Sequence, residues 1–346
     1  MTASRPAPEC GERSGRGGLP ARPAAVKSRS PAPPARAGRF LWPPRPTRPV
    51  TALDDLLDLL DLERIEDRIF RGRNRPLASP RVFGGQVLAQ ALVAADRTVN
   101  GGAESGAGRP CHSLHAYFIL PGDVQAPIVY EVETLRDGGS FSTRRVTAVQ
   151  HGRPIFNASL SFHVAEPGLD HQDDLGREVD GPGGLASERD LVESLGDRVP
   201  EPLRTVLTRD RPFDYRPVDP ADPLRPAPRP GTADMWLRAT GPLPDDPAVH
   251  QALLAYASDW GLLGTALLPH GQSVFGGSIQ AASLDHAIWF HRPFRADGWL
   301  LYATESPAAA GARGFTRGAV YDAEGRLVAS AVQEGLIRPV DRGRSR

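Results

Sequence analysis

Ser283-Leu284-Asp285-His286-Ala287-Ile288-Trp289-Phe290-His291-Arg292-Pro293 has an earlier echo in Ser113-Leu114-His115-Ala116-Tyr117-Phe118-Ile119-Leu120-Pro121. Either stretch alone reads as a β-strand, because a strand alternates its side chains between two faces. In that register Ser283, Asp285, Ala287, Trp289 and His291 share one face, and Leu284, His286, Ile288, Phe290 and Arg292 the other. Both faces mix polar and apolar groups, which marks either a strand passing through a site or a core strand with locally satisfied polar groups. The echo extends further, with Phe141-Ser142-Thr143-Arg144 returning as Phe315-Thr316-Arg317 and Gly152-Arg153 as Gly325-Arg326. A nearly constant offset across three motifs indicates a duplicated unit, and two similar units should pack as a pseudo-dimer.

Working outward from the first copy, Leu53 to Leu62 has apolar residues three and four apart, as on an amphipathic helix, and Ile65 to Arg71 reads as a short strand. Gly84-Gly85-Gln86 opens an almost wholly apolar run, Val87 to Val99, which should be a buried helix whose leading glycines admit close approach of another backbone or a ligand. Four strand-like segments follow, Ser113 to Leu120, Ile128 to Leu135, Phe141 to Gln150 and Pro154 to Val164, separated by Gly- and Asp-rich turns. Around the second copy the order repeats. A strand at Trp236 to Ala239 precedes an apolar helical run, His250 to Leu268, interrupted by Ser258-Asp259, and then strands Ser283 to His291, Trp299 to Glu305, Gly314 to Asp322 and Leu327 to Ile337. A long buried helix followed by an antiparallel meander, twice, predicts an α+β architecture with each sheet wrapped around its helix.

These periods divide the 346 residues into four parts. Residues 1–50 are rich in Pro, Arg, Ala and Gly and are expected to be a disordered extension. Residues 51–165 form the first unit, 166–210 a linker with a helix-like run near Leu191 to Leu207, and 211–340 the second unit.

Composition narrows the function. The chain has 41 basic and 41 acidic residues, yet residues 1–50 hold nine arginines and one lysine against Glu9 and Glu12, so the body is mildly acidic and unsuited to nucleic acid. Lys27 is the only lysine, which removes Schiff-base and P-loop chemistry from the body. No apolar run is long enough to span a membrane, no apolar leader opens the chain, and Cys10 and Cys111 cannot make a disulfide framework, all of which suits a cytoplasmic protein. No nucleophile-elbow, zincin, Walker or dinucleotide motif is present. His112 and His115 lack a supporting carboxylate cluster, so neither a metal nor any other cofactor is expected.

What remains is a carboxylate, Asp259, on an apolar helix. Burying it costs several kcal/mol unless it is hydrogen-bonded, so partners are required. Ser283 starts the next strand and Gln333 lies in the last one, and a meander folded over a helix could bring the three together. They would supply an acceptor, a hydroxyl and an amide, a set suited to fixing a water. A helix kink for Asp259 and a strand-surface place for Gln333 stay open at this point.

Arg81-Val82-Phe83-Gly84-Gly85-Gln86-Val87, the segment Ser113 to Arg145, Tyr256-Ala257-Ser258-Asp259, Ser283 to Pro293, Ala312-Arg313-Gly314-Phe315 and Val332-Gln333-Glu334-Gly335 together resemble the acyl-CoA thioesterase II family over roughly residues 53–338. The resemblance implies a tandem double hot-dog fold and hydrolysis of fatty acyl-CoA to fatty acid and coenzyme A, without a cofactor, by a homo-oligomer. It also implies that Asp259, Ser283 and Gln333 hold the hydrolytic water, with serine standing where bacterial relatives often carry threonine. Gly84 and Gly85 would then offer N–H groups to the developing oxyanion, at a helix N-terminus where the dipole favours negative charge. A non-catalytic acyl-CoA-binding or sensing module on the same scaffold is the alternative, since a fold does not fix a reaction. A hot-dog hydratase fits less well, because the Asp and His it would carry on one helix are not evident near Asp259.

Overall fold

The computed structural model describes residues 50–75, 81–101, 108–224 and 226–340. The expected disordered extension up to residue 49 and most of the Gly-rich insert at 101–108 lie outside the described residues.

The first half opens with helix α1 (Ala52–Leu60), started by a capping box in which the Thr51 hydroxyl accepts from the Asp54 N–H at 3.1 Å and Asp54 accepts from the Thr51 N–H at 2.9 Å. The single strand expected at Ile65 to Arg71 is a hairpin of β1 (Glu63–Glu66) and β2 (Ile69–Gly72), turned at Asp67-Arg68. Helix α2 (Gly84–Val99) includes both glycines rather than following them, and its residues from Gly85 to Asp96 are all buried. A meander covers it: β3 (Cys111–Phe118), β4 (Ile128–Asp137), β5 (Phe141–Gln150) and β6 (Arg153–His163). The expected strand assignments hold here because alternation is strong, as in β5, where every second side chain from Ser142 to Gln150 is buried.

The linker differs from the expected single helical run. It contains α3 (Glu188–Ser194) and α4 (Glu201–Thr208), separated where Gly196 takes a positive φ of 53° and Pro200 ends helical continuity. A strand, β7 (Phe213–Pro217), then pairs with β8 (Thr232–Ala239). Helix α5 (Pro247–Ser258) is capped by Asp246, whose carboxylate accepts from the Ala248 N–H at 2.9 Å. It stops at Asp259, and the rest of the predicted helical run becomes a 3-10 segment, Leu263–His270.

The stretch from Ser283 is not one strand. β9 (Ile279–Ser283) and β10 (Asp285–Phe290) both lie against the last strand, with β11 (Leu300–Ala310), β12 (Arg313–Asp322) and β13 (Leu327–Pro339) completing the second meander. Ser283 pairs with Gly335 and Ala287 with Val332, so four steps on one side face three on the other. The extra residue is a bulge at Leu284, clamped where Asp285 Oδ1 accepts from the Glu334 N–H at 2.6 Å.

All pairings are antiparallel, and β3 meets β10 edge to edge, so the two expected sheets run on as one sheet of 13 strands. Along that seam His115 faces Ala287, flanked by Tyr117 opposite Asp285 and Ser113 opposite Trp289. Exchanging the two halves maps these flanking pairs onto each other, as a pseudo-twofold axis requires. Helices α2 and α5 pack together inside, antiparallel, with the start of α2 at the end of α5. Their contact is close because Gly85 has no side chain: a Cβ there would sit 2.3 Å from the Tyr256 carbonyl oxygen.

Candidate active site

Helix α5 ends by presenting Asp259 to the N-terminus of α2. Asp259 is its C-cap, half-buried, and its Oδ2 accepts from the Gly85 N–H at 2.9 Å. A carboxylate is unfavourable at the C-terminal end of one helix dipole and favourable at the N-terminal end of another, so α2 offsets what α5 costs.

The other oxygen meets the sheet. Oδ1 accepts from Gln333 Nε2 at 2.6 Å and from the Ser283 hydroxyl at 3.3 Å, and Gln333 Nε2 also lies 3.1 Å from Ser283 Oγ. The structure thus brings Asp259, Ser283 and Gln333 into mutual contact from α5, β9 and β13. An ionised carboxylate only accepts, so the 2.6 Å contact fixes which end of the Gln333 amide is nitrogen. Gln333 is fully buried, and its Oε1 has no hydrogen-bond partner among the described residues.

His286 belongs to the same cluster. Its Nδ1 lies 3.3 Å from Gln333 Nε2 and its Nε2 lies 3.0 Å from the Ser258 hydroxyl, which in turn donates to the Ala255 carbonyl at 3.0 Å. With the serine proton so committed, the imidazole donates through Nε2 and accepts at Nδ1. Burial holds its pKa below the ordinary histidine range, against the opposing pull of the Asp259 charge, so the ring is neutral. Strict alternation places Ser283 and His286 on opposite faces; the bulge at Leu284 turns both inward. Two successive segments each pairing with one strand, with an uneven residue count, is a signal that periodicity does not carry.

Gly84 and Gly85 both reach the site, in different ways. The Gly85 N–H is engaged by Asp259, whereas the Gly84 N–H has no hydrogen-bond partner among the described residues. A Cβ on Gly84 would fall 2.7 Å from Asp259 Oδ2 and 3.0 Å from the Phe118 ring. His112 and His115 are elsewhere, against Phe141 and His163 and against Trp289 respectively.

One cavity opens on the cluster at Asp259, and a second lies beyond it. The first, about 490 Å³, is mainly apolar: Asp259 opens onto it beside Trp260, and Leu191, Met235, Leu263 and Phe275 are among its walls. It lies between β8, β11, the 3-10 segment and the linker rather than between sheet and long helix. The other, about 1000 Å³, is the more polar of the two, its lining divided about equally between polar and apolar surface, and shares Glu188 with the first. Glu188 is the partition: it accepts from Trp260 Nε1 at 3.1 Å and from Arg211 at 2.5 Å, and Arg211 also lies over the Trp260 ring at 4.3 Å.

The chain matches family models along both halves: residues 73–163 match the acyl-CoA thioesterase N-terminal domain and residues 211–336 the acyl-CoA thioesterase. Acyl-CoA thioesterase 2 of Haemophilus influenzae is 41% identical over 276 residues, which cover 80% of this chain and 94% of that one. The crystal structure of the acyl-CoA thioesterase II TesB2 from Mycobacterium marinum superposes with a TM-score of 0.66 at 41% identity, covering 84% of this chain and 100% of that one. A hot-dog-fold protein from Alicyclobacillus acidocaldarius, 18% identical, shares the fold at a TM-score of 0.64, over 83% of this chain and 99% of that one. With both halves matched, the chain belongs to the acyl-CoA thioesterase family, a thioester hydrolase of tandem double hot-dog architecture.

Proposed function

We propose that the protein hydrolyses fatty acyl-CoA to free fatty acid and coenzyme A by direct attack of a water held by Asp259, Ser283 and Gln333. The contact of all three groups around Asp259 Oδ1 carries this reading. Ser283 is an orienting group rather than a nucleophile, because its proton goes to a carboxylate and its oxygen accepts from Gln333. A water seated against both Asp259 and Gln333 gives one proton to the carboxylate as it attacks and directs the other to the buried Gln333 Oε1. Gly85 keeps the Asp259 carboxylate in place, and the Gly84 N–H, at the positive end of α2, is the donor for the developing oxyanion. The tetrahedral intermediate collapses with loss of thiolate, a good leaving group, so no acyl-enzyme is needed. The acyl chain takes the apolar cavity beside Trp260.

The same reading keeps residues 51–165 and 211–340 as the two hot-dog units joined through 166–210, in a cytoplasmic homo-oligomer. The matched spans, 73–163 and 211–336, support that division. No helix among the described residues is long and apolar enough to cross a membrane.

The test is thiol release from acyl-CoAs of several chain lengths by the parent protein and by Asp259→Asn. The isosteric amide keeps the shape and removes the base, so kcat should fall by roughly 10²- to 10⁴-fold. An Asn variant as fast as the parent would discard the mechanism, and no release from any acyl-CoA would leave the binding or sensing alternative.

A further inference from the structure

The polar cavity on the far side of Glu188 holds a cation that the protein itself does not neutralise. The carboxylates in its wall are engaged. Glu188 is held by Arg211 and Trp260, Asp210 accepts from Arg189 at 2.9 Å, Asp214 from Arg216 at 3.0 Å, and Asp297 from Arg295 at 2.9 Å. Asp190 closes the capping box of α3, accepting from the Ser187 hydroxyl at 2.7 Å. The remaining basic residue of the wall, Arg238, lies over Trp299 at 4.3 Å and within 4.0 Å of Asp214.

Arg209 has neither a carboxylate nor a hydrogen-bond partner among the described residues, although it is partly buried. Burial pulls its pKa below the usual guanidinium range, helped by the nearby charges of Arg211 and Arg75, each of which has a carboxylate of its own, Glu188 for Arg211 and Asp55 at 3.3 Å for Arg75. A half-buried cation with no carboxylate of its own, among cations whose carboxylates are already engaged, is unfavourable unless an anion arrives to pair with it.

The position of this cation relates it to the reacting carboxylate. Tyr256, one turn before Asp259 on α5, has Arg75, Arg209, Arg211 and Asp259 all as charged neighbours. Asp259 opens onto the apolar cavity and Arg209 onto the polar one, with Glu188 and Trp260 between them.

We infer that Arg209, backed by Arg75 and Arg211, binds the phosphate groups of the coenzyme A portion of the substrate, seating the nucleotide end in the polar cavity while the acyl chain occupies the apolar one. This rests on the hydrolase reading. A guanidinium is the suitable group, since its planar fork matches two phosphate oxygens at once and its charge is fixed at working pH.

The experiment uses the full chain and two thioesters of one acyl group, acyl-CoA and acyl-pantetheine, the latter lacking every phosphate. Arg209→Ala should lower kcat/KM for acyl-CoA about tenfold or more through KM, as loss of a charge-assisted hydrogen bond requires, and so reduce the preference for acyl-CoA over acyl-pantetheine by that factor. Arg209→Lys should restore part of the preference. An equal loss on both thioesters, or on neither, overturns the assignment. If the parent protein hydrolyses neither, the hydrolase reading fails by itself and calorimetric titration with free coenzyme A decides the site. A Kd raised about tenfold by Arg209→Ala supports it, and an unchanged Kd overturns it.

Discussion

Gln333 is the side chain on which the site turns. Its Nε2 has two hydrogens and three neighbours, Asp259 Oδ1, Ser283 Oγ and His286 Nδ1, so it orders carboxylate, hydroxyl and imidazole at once. The pseudo-twofold relation identifies its counterpart. His115 pairs with Ser159 as Ala287 pairs with Val332, which sets Leu160 of β6 against Gln333 of β13 and Leu114 of β3 against His286 of β10. Both leucines are buried, so the same inner positions accept an apolar side chain in the first half. Gln333→Leu should therefore remain folded, with a thermal midpoint close to the parent's, while thiol release falls about a hundredfold; circular dichroism melts beside the kinetic assay distinguish this from simple unfolding. Asp259 stood out in the sequence as a carboxylate on an otherwise apolar helix, whereas Ser283 and Gln333 lie on strands of mixed polarity and were drawn to it by the expected meander and the family resemblance. His286 was not, since its participation depends on a backbone irregularity that leaves no trace in residue type.

Among the elements, strong periodicity was read well and irregularity badly. The meander strands and α2 follow from alternation and from a long apolar run, whereas β9 and β10 were fused into one strand and β1 and β2 into another. Breaks of this kind are set by pairing with strands distant in sequence, which a local pattern cannot express. Helix α2 also shows that adjacent glycines serve different ends. At Gly85 a methyl group meets backbone, the Tyr256 carbonyl at 2.3 Å, and neither helix can yield without moving; Gly85→Ala should cost about 1–3 kcal/mol in denaturant unfolding. At Gly84 the methyl meets the Asp259 carboxylate at 2.7 Å, the free end of a side chain. Gly84→Ala should leave the unfolding midpoint nearly unchanged and lower kcat by displacing that carboxylate. Equal effects of the two substitutions on stability would contradict this division.

At the scale of the molecule, the duplicated halves are unequal in chemistry. Asp96 of α2 and Asp259 each lie 13 positions after their helix N-caps, Phe83 and Asp246. Asp96 is buried, accepts from Asn100 Nδ2 at 2.7 Å, and lies near the Asp246 carboxylate. Burial, reinforced by Asp246, raises its pKa to about 7. A raised carboxyl pKa means that the folded protein binds a proton the unfolded chain releases, so this group's contribution to stability falls as pH rises from about 4 to 7 and is flat above. Urea unfolding of the parent between pH 5 and pH 8 should show that decline, and Asp96→Asn should remove it; identical pH dependence in the two proteins would place the titration elsewhere.

The seam between β3 and β10, together with the Gly85 bond to Asp259, also governs when the protein can act during its own synthesis. A ribosome delivers the α2 glycines long before β13, so a nascent chain that has folded only its first half holds neither the carboxylate nor the amide of the proposed site. On the proposed mechanism, hydrolysis requires the final strand in place beside β10, and a truncated product that stops short of it should be inert rather than loosely active.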